Sequence, residues 1–211
     1  LPILIVSLLA MNAVVTGIFE KKLVDGQYER LYLLTSQQTA TLNASYLEAT
    51  DPETAFSGVY FYELRSALNV LPGQGTLYTP DGKEAQQVYN SNYFWLYKLV
   101  DGQLVSLVCE QDYIGVPVED RYDPAVAAQF YQAAQSGKVC RTSFRDGLGT
   151  WTVLLTPVTD KSGEVVGLIE TGDTRQSLDY AVARGARQLT LVSLGVLLVL
   201  AALLSAVIAV S

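Results

Sequence analysis

Apolar residues fill both ends of the chain without a single charge, whereas charged and apolar positions are interspersed between them. No Asp, Glu, Lys or Arg precedes Glu20 or follows Arg187, so all 14 basic and 21 acidic residues lie in the middle. Each apolar end, 1–19 and 189–211, is close in length to a membrane-crossing helix of about 20 residues. The pattern predicts two transmembrane helices around one central domain, 20–188.

Two other interpretations of the apolar N-terminal stretch are a signal peptide and a buried core helix. Residues 1–19 lack the basic start and the small-residue cleavage site of a signal peptide. They are apolar on every helical face, whereas a core helix usually carries an apolar stripe. A membrane span is therefore favoured, and two spans put both ends of the chain on the same side of the membrane.

Within the central domain, helical and alternating patterns follow one another in a clear order. Residues 19–49 have apolar side chains at helical spacing, and Asp51-Pro52-Glu53 begins a second helix that runs to about Val70. Asp101-Gly102 is typical of a hairpin turn. The later elements are strands 89–100 and 103–110, a short helix at 125–135, strands 139–145, 150–158 and 164–172, and a helix from Thr174. These elements predict an α+β domain with one five-stranded antiparallel sheet.

The charge and the residue types of the chain argue against several classes of function. A net charge of −7 disfavours a nucleic-acid surface, which is usually basic. The chain has no histidine, and its two cysteines, Cys109 and Cys140, lack metal-binding spacing. No phosphate-binding glycine loop or nucleophile–base motif occurs. We therefore predict no catalytic residue, no metal site and no cofactor in this chain.

The region from the short helix to the last strand resembles the C-terminal half of a Cache domain, the PAS-like extracytoplasmic sensor module of bacterial receptors. The features that match are the helix FYQAAQSG, Trp151, Thr156-Pro157-Val158, the turn Asp160-x-x-Gly163 and the run Val165-Val166-Gly167-Leu168. The length suits a single module. Gly167, inside a predicted strand, is typical of a close approach by another backbone or helix. The resemblance implies a PAS-like fold with a long N-terminal helix and the strand order 2-1-5-4-3. This order puts Cys109 and Cys140 on opposite edge strands, so we predict no disulfide between them.

The resemblance also implies a ligand site between the sheet and the loop–helix layer that follows the first hairpin, here 111–135. Tyr93, Trp95 and Tyr97 alternate along one strand and so share one face. Tyrosine suits such a site because it buries a ring and keeps a hydroxyl for a partner. The candidate ligand-binding residues are Tyr93, Trp95, Tyr97, Tyr113, Tyr131, Arg145, Asp146, Trp151 and Asp173.

Amino-acid-binding Cache domains carry a scattered motif whose acidic positions correspond to Asp146 and Asp173. These two carboxylates would hold an amine, so the resemblance implies a small polar ligand that is amine-bearing or zwitterionic. The arginine that would bind an α-carboxylate is replaced by Ala128, which argues against an amino acid as the ligand. Both carboxylates also have a local interpretation. Asp146 lies in an Asp-Gly-Leu-Gly turn, and Asp173 precedes a helix where an N-cap is normal.

Two functions remain open at the level of sequence. The first is the extracellular sensing domain of a two-pass plasma-membrane receptor, such as a chemoreceptor, sensor kinase or cyclic-dinucleotide enzyme, that passes ligand binding through the membrane helices to an output region. The second is a structural ectodomain that dimerises along helix 19–49 without a ligand. We expect a homodimer in contact with membrane lipid in both cases. A pocket lined by Trp95 and Tyr97 would favour the sensor, and a closed core the structural role.

Overall fold

The computed structural model describes residues 2–68, 74–78, 84–89, 93–109, 113–147 and 149–210. A long helix enters the domain, a five-stranded sheet forms its centre, and a second long helix leaves it. The helices are α1 Pro2–Thr41, α2 Ala44–Ala49, α3 Val59–Ala67, α4 Val118–Arg121, α5 Pro124–Ser136 and α6 Gln176–Val210, with a 3-10 helix at Pro52–Ser57. The strands are β1 Gln74–Tyr78, β2 Glu84–Tyr89, β3 Tyr93–Val100, β4 Gln103–Val108, β5 Cys140–Asp146, β6 Gly149–Thr159 and β7 Val165–Thr174.

The five-stranded sheet has the predicted order. Its strands run β4-β3-β7-β6-β5, all antiparallel, which is the PAS-like arrangement 2-1-5-4-3. The turn between β3 and β4 contains Asp101 and Gly102, both with positive φ, as the Asp-Gly signal predicts. Cys109 follows edge strand β4 and Cys140 begins edge strand β5, and no disulfide joins them.

The structure corrects several predicted boundaries. The first helix ends at Thr41 rather than near Ala49, because Asn43 caps a separate helix, α2, by accepting a hydrogen bond from the Ser45 N–H at 3.1 Å. The second predicted helix is divided into a 3-10 turn and α3, and its expected end at Val70 lies outside the described residues. The final helix begins two residues later than expected because β7 continues to Thr174.

One hairpin was missed from the sequence. Strands β1 and β2 form a separate two-stranded antiparallel sheet, so Tyr89 belongs to β2 and not to the strand predicted over 89–100. The sequence Pro80-Asp81-Gly82, whose residue types are typical of a turn, lies between these strands and outside the described residues. The strand predicted over 103–110 ends at Val108.

The sheet is covered on both faces, and alternate residues of each strand serve different cores. Trp95 and Tyr97 of β3 face α5, whereas Phe94 and Leu96 face α2 and α3. The α5 side holds an aromatic core, and Phe130 of α5 is fully buried in it. The alternation predicted for Tyr93, Trp95 and Tyr97 is therefore confirmed, since Tyr93 also packs against this cluster.

Gly167 is required by close packing, as its place in a strand predicts. A Cβ there would lie 2.6 Å from Leu47 Cδ2 and closer still to the carbonyl oxygen of Tyr97. Leu47 belongs to α2 and Tyr97 to the neighbouring strand β3. Gly167 thus lets a helix and a strand approach β7 together.

The two long helices run antiparallel beside each other outside the sheet. Asn12 of α1 and Ser193 of α6 exchange hydrogen bonds at 2.8 and 3.1 Å, and Phe19 lies against Gly185. Their charge-free ends therefore extend from the same end of the domain and expose many large apolar side chains. Among the described residues, the 26-residue stretch Leu178–Leu203 is long and apolar enough to cross a membrane.

Candidate functional site

A buried glutamate lies at the centre of the aromatic core. Strand β7 points Leu168 and Glu170 toward α5, and both side chains are fully buried. The hydroxyls of Tyr97 and Tyr122 donate to the Glu170 carboxylate at 2.6 and 2.7 Å, and the Tyr93 hydroxyl donates to it as well. Three tyrosines from two segments, two on β3 and one directly after α4, thus supply the hydrogen bonds that a buried carboxylate needs.

Arg121 supplies the positive charge of this site. Its Nη1 donates to the Tyr97 hydroxyl at 2.7 Å and lies 3.4 Å from Glu170 Oε2. The guanidinium carbon lies only 3.1 Å from the centre of the Trp95 ring and 4.6 Å from that of Tyr122. The arrangement is a buried ion pair held between aromatic faces, and it brings the formal charge of the core to zero.

Burial and the carboxylate shape the pKa values of these groups. Burial raises the pKa of Tyr93, Tyr97 and Tyr122 well above the ordinary value, and the neighbouring Glu170 charge raises each further. Burial alone would lower the pKa of Arg121, but Glu170 and the surrounding tyrosines outweigh it and raise that pKa. The three hydroxyls therefore stay protonated, as hydrogen-bond donors to Glu170 must.

Five of the nine predicted ligand-binding residues lie in this one cluster. The ring centres of Trp95 are 6.2 Å from Tyr93, 6.4 Å from Tyr97 and 5.4 Å from Tyr113, and Tyr93 is 5.2 Å from Trp151. Tyr113 is 41% exposed, so the outer side of the cluster reaches solvent. The Trp151 Nε1 is buried with no hydrogen-bond partner among the described residues.

Of three other predicted residues, Tyr131 packs against the cluster, whereas Arg145 and Asp146 lie on the edge strand β5. Tyr131 on α5 donates to Glu119 and accepts from the Leu104 N–H at 3.1 Å, so its hydroxyl joins α5 to the edge of the sheet. Arg145 is exposed on edge strand β5. Asp146 is exposed at the end of β5 and accepts from the Gly149 N–H at 3.2 Å, which is the role of a turn residue.

Asp173 lies on the opposite face of the sheet, so Asp146 and Asp173 do not converge on one ligand. Along β7 the side chain of Asp173 points to the face opposite that of Glu170, and it forms an ion pair with Arg30 of α1. It therefore contacts the entering helix rather than the aromatic core. The ligand role proposed for these two carboxylates stays a prediction, and the structure offers Glu170 as the acidic group of the aromatic cluster.

Glu170, Arg121 and Tyr122 were absent from the sequence-based set of candidates. Glu170 had a local signal, because it lies two residues from Leu168 in an apolar strand and so shares its buried face. Arg121 had none, since it is 49 residues from Glu170 and in a polar segment. Only the folded chain brings them together.

Two cavities elsewhere border α1. One of about 490 Å³ lies where α1, α2 and α3 meet, between Gln38, Tyr46 and Glu63. The other, of about 540 Å³, lies between the outer surface of α1 and strands β5 and β6 and is lined by Tyr28, Tyr32 and other residues. Neither includes a residue of the aromatic cluster.

Comparison with known proteins gives distant structural similarity only. No family model and no curated protein sequence matches the chain. An RNA-binding light-oxygen-voltage receptor is 12% identical, with a TM-score of 0.37 over 89% of this chain and 67% of that one. The ligand-binding domain of the Campylobacter jejuni chemoreceptor Tlp3, solved with L-valine, is 14% identical with a TM-score of 0.43. That of the Pseudomonas aeruginosa PAO1 amino acid chemoreceptor PctC, solved with GABA, is 15% identical with a TM-score of 0.42.

The two chemoreceptor domains are longer than this chain. The alignments cover 85% and 82% of this chain but only 65% and 66% of the Tlp3 and PctC domains. At these TM-scores the likeness carries no inference about ligand or activity. What is established is an α+β domain with PAS-like strand order and an aromatic cluster around a buried ion pair.

Proposed function

We propose that this chain is the extracytoplasmic sensing domain of a two-pass membrane receptor, a single Cache-like module that binds a small polar, amine-bearing or zwitterionic ligand. The proposed topology is supported by the antiparallel pairing of α1 and α6, whose charge-free ends leave the domain together. The domain itself carries out no reaction. Its role is to change the relation between the two helices when a ligand binds, and any output activity belongs to another region of the receptor.

The observation that carries this proposal is the position of strand β7. On one face β7 holds Glu170 in the aromatic cluster, and on the other Thr171 and Asp173 contact α1. The strand then continues within two residues into α6. A ligand that moves Glu170 therefore acts on a strand that α1 contacts and that leads directly into α6. It shifts the helices only by the difference between its affinities for the two signalling states.

The alternative is a structural ectodomain that dimerises along α1. The near-complete burial of Trp95 and Tyr97 favours it, because a closed core is what such a domain needs. Exposed Tyr32 and Leu33 on α1, beside the cavity of about 540 Å³, offer an apolar surface to a second copy. The two proposals differ in whether a small molecule binds to Glu170 and its neighbours.

Calorimetric titration of the full chain in lipid nanodiscs tests the sensing role. The compounds are primary amines, quaternary ammonium ions and amino acids, including L-valine and GABA, with neutral sugars as controls. We expect saturable binding of at least one cationic or zwitterionic compound, lost in Glu170→Gln and retained in Asp173→Asn. Absence of binding by every compound, together with a dimer that Leu33→Glu disrupts, would favour the structural alternative.

A further inference from the structure

Arg121 has the surroundings that proteins build for a bound organic cation. Its guanidinium carbon lies 3.1 Å from the Trp95 ring centre, 4.6 Å from Tyr122 and 5.7 Å from Tyr113. A cation within about 6 Å of an aromatic face is attracted by the ring, and cages of such faces recognise alkylated ammonium groups. Here the cage also has a carboxylate, Glu170, at its base.

The cage and the cation that fills it belong to different parts of the fold. Trp95 and Glu170 lie on the central strands β3 and β7, which fix them in the sheet. Arg121 is the last residue of α4, a helix of only four residues at the surface of the loop–helix layer. Its side chain is 18% exposed, and Tyr113 beside it is 41% exposed, so the open side of the cage faces solvent.

Glu170 restricts what can replace Arg121. The carboxylate is fully buried, and its three tyrosine hydroxyls supply hydrogen bonds but no charge. Withdrawing Arg121 without a substitute would leave a buried, uncompensated charge, which is strongly unfavourable. An incoming organic cation would take over both the carboxylate and the ring faces, whereas an anion or a neutral molecule would not.

We propose that Arg121 is the internal occupant of a cation site, and that the ligand of this domain is an organic cation which displaces it. The proposal rests on the sensing function proposed above and adds the ligand class and the resting state. Without ligand the cage is closed by Arg121, which accounts for the buried Trp95 and Tyr97. With ligand, α4 is released from Glu170 while β7 keeps its charge partner. Because Arg121 competes, the apparent affinity is reduced by the fraction of molecules in which the cage is open.

Removal of the internal cation provides the test. The full chain in nanodiscs is titrated with tetramethylammonium and with methylguanidinium chloride, against sodium chloride at equal ionic strength. Binding is followed by calorimetry and by the fluorescence of the two tryptophans, Trp95 and Trp151. We expect Arg121→Gln to bind one or both cations at least tenfold more tightly than the unsubstituted chain. The double variant Arg121→Gln/Glu170→Gln should lose this gain.

Arg141→Gln is the matched control. Arg141 also lies over a tyrosine, 4.9 Å from the Tyr28 ring centre, and also pairs with a carboxylate, Asp25, but on the other face of the sheet. Its loss should leave cation affinity unchanged. If Arg121→Gln binds neither cation more tightly than the unsubstituted chain does, the cation site is refuted.

A second measurement covers the case in which Arg121→Gln folds poorly. Its melting temperature should then rise with millimolar methylguanidinium or tetramethylammonium and not with sodium chloride, and no rise would refute the proposal. The sensing function is separable from the cation site. If the unsubstituted chain binds another small molecule while Arg121→Gln gains no cation affinity, only the cation site fails. If neither protein binds any compound tested, both proposals fail.

Discussion

The two faces of strand β7 are built differently. Toward α5, Glu170 lies among fully or nearly fully buried aromatic rings and is neutralised by Arg121. Toward α1, the contacts are a row of polar pairs. On β7 these pairs are Thr35–Thr171, Arg30–Asp173 and Gln27–Thr174. The helix α1 forms two similar pairs with the neighbouring strands β6 and β5, Gln27–Thr152 and Tyr28–Thr142.

The difference assigns separate tasks to the two faces. The polar groups of the aromatic face, Glu170, Arg121 and the three tyrosine hydroxyls, depend on one another, because removal of Glu170 or Arg121 leaves a buried charge or donor unsatisfied. Each polar pair on the α1 face contributes only about 0.5–1.5 kcal/mol net. A helix attached by such pairs can exchange them at modest cost, whereas the aromatic face changes only as a unit. A sensor needs both properties, on the ligand side and on the transmitting side.

Of the variants considered, Glu170→Ala should cause the largest loss of stability. It leaves Arg121 without its carboxylate and three tyrosine hydroxyls without their acceptor. The expected loss is about 3–5 kcal/mol in the free energy of unfolding, the usual cost of removing one partner of a buried ion pair. Urea unfolding followed by circular dichroism measures it.

Asp173→Ala is the matched control for that variant. The side chain of its partner Arg30 is 53% exposed, so water can solvate the guanidinium once the carboxylate is gone. We expect a loss of about 1 kcal/mol, typical of a partly exposed pair. Equal losses for the two variants would show that the two faces do not differ in the way described.

Alkaline pH should weaken the aromatic face. The pKa values of Tyr93, Tyr97 and Tyr122 are raised in the folded state, by burial and then by Glu170, so this state keeps its protons when the unfolded chain loses them. Stability is therefore complete below the unfolded pKa of about 10 and falls above it, by up to about 1.4 kcal/mol per pH unit for each tyrosine.

Urea midpoints between pH 9 and pH 11 measure this loss. Tyr122→Phe removes one of the three groups and should make the decline less steep. Tyr62→Phe, at a position 58% exposed on α3, should leave the slope unchanged. A decline that Tyr122→Phe does not alter would contradict the assignment.

Gly167→Ala tests the close approach of α2 and of strand β3 to β7. The added methyl would collide with the Tyr97 carbonyl oxygen and with Leu47 Cδ2. Overpacking of this kind costs about 1–3 kcal/mol, measurable as a lowered urea midpoint. Gly26→Ala, in α1 with nothing within 4 Å, should instead stabilise the helix by up to about 1 kcal/mol.

Thr35→Val has a small expected effect and tests how α1 is attached to β7. It removes the 2.7 Å hydrogen bond to the buried Thr171 hydroxyl while nearly conserving volume. We expect a loss of about 1 kcal/mol. In lipid nanodiscs, hydrogen exchange of α1 amides should accelerate relative to those of β7. Equal acceleration in both elements would mean that α1 and β7 open together.

Much of the fold followed from local patterns. The strands β5, β6 and β7 were predicted to within two residues, because alternation and turn signals such as Asp160-x-x-Gly163 are local. The β1–β2 hairpin was missed because its runs, QGTLY and EAQQVY, contain few apolar residues to alternate. The end of α1 was missed although Asn43 is a local cap signal, because apolar spacing continues beyond it.

The candidate site was only half predictable. Alternation placed Tyr93, Trp95 and Tyr97 on one face, and the same rule applied to β7 would have put Glu170 on the buried face. The alternation rule could not identify the residue that neutralises Glu170, nor the ion pair between Asp173 and Arg30 of α1. Those partners come from segments 49 to 143 residues away, and loop conformation and helix packing bring them into contact.

The sequence alone determined the uncharged ends, the extents of β5, β6 and β7 to within two residues and the shared face of Tyr93, Trp95 and Tyr97, because these depend on hydrophobicity and on side-chain period. Tertiary structure decided that Arg121, from a four-residue helix, fills the cage of Trp95 and Tyr122 above Glu170. A buried charge takes whichever opposite charge the fold brings within reach, and that choice depends on distances that no local pattern encodes.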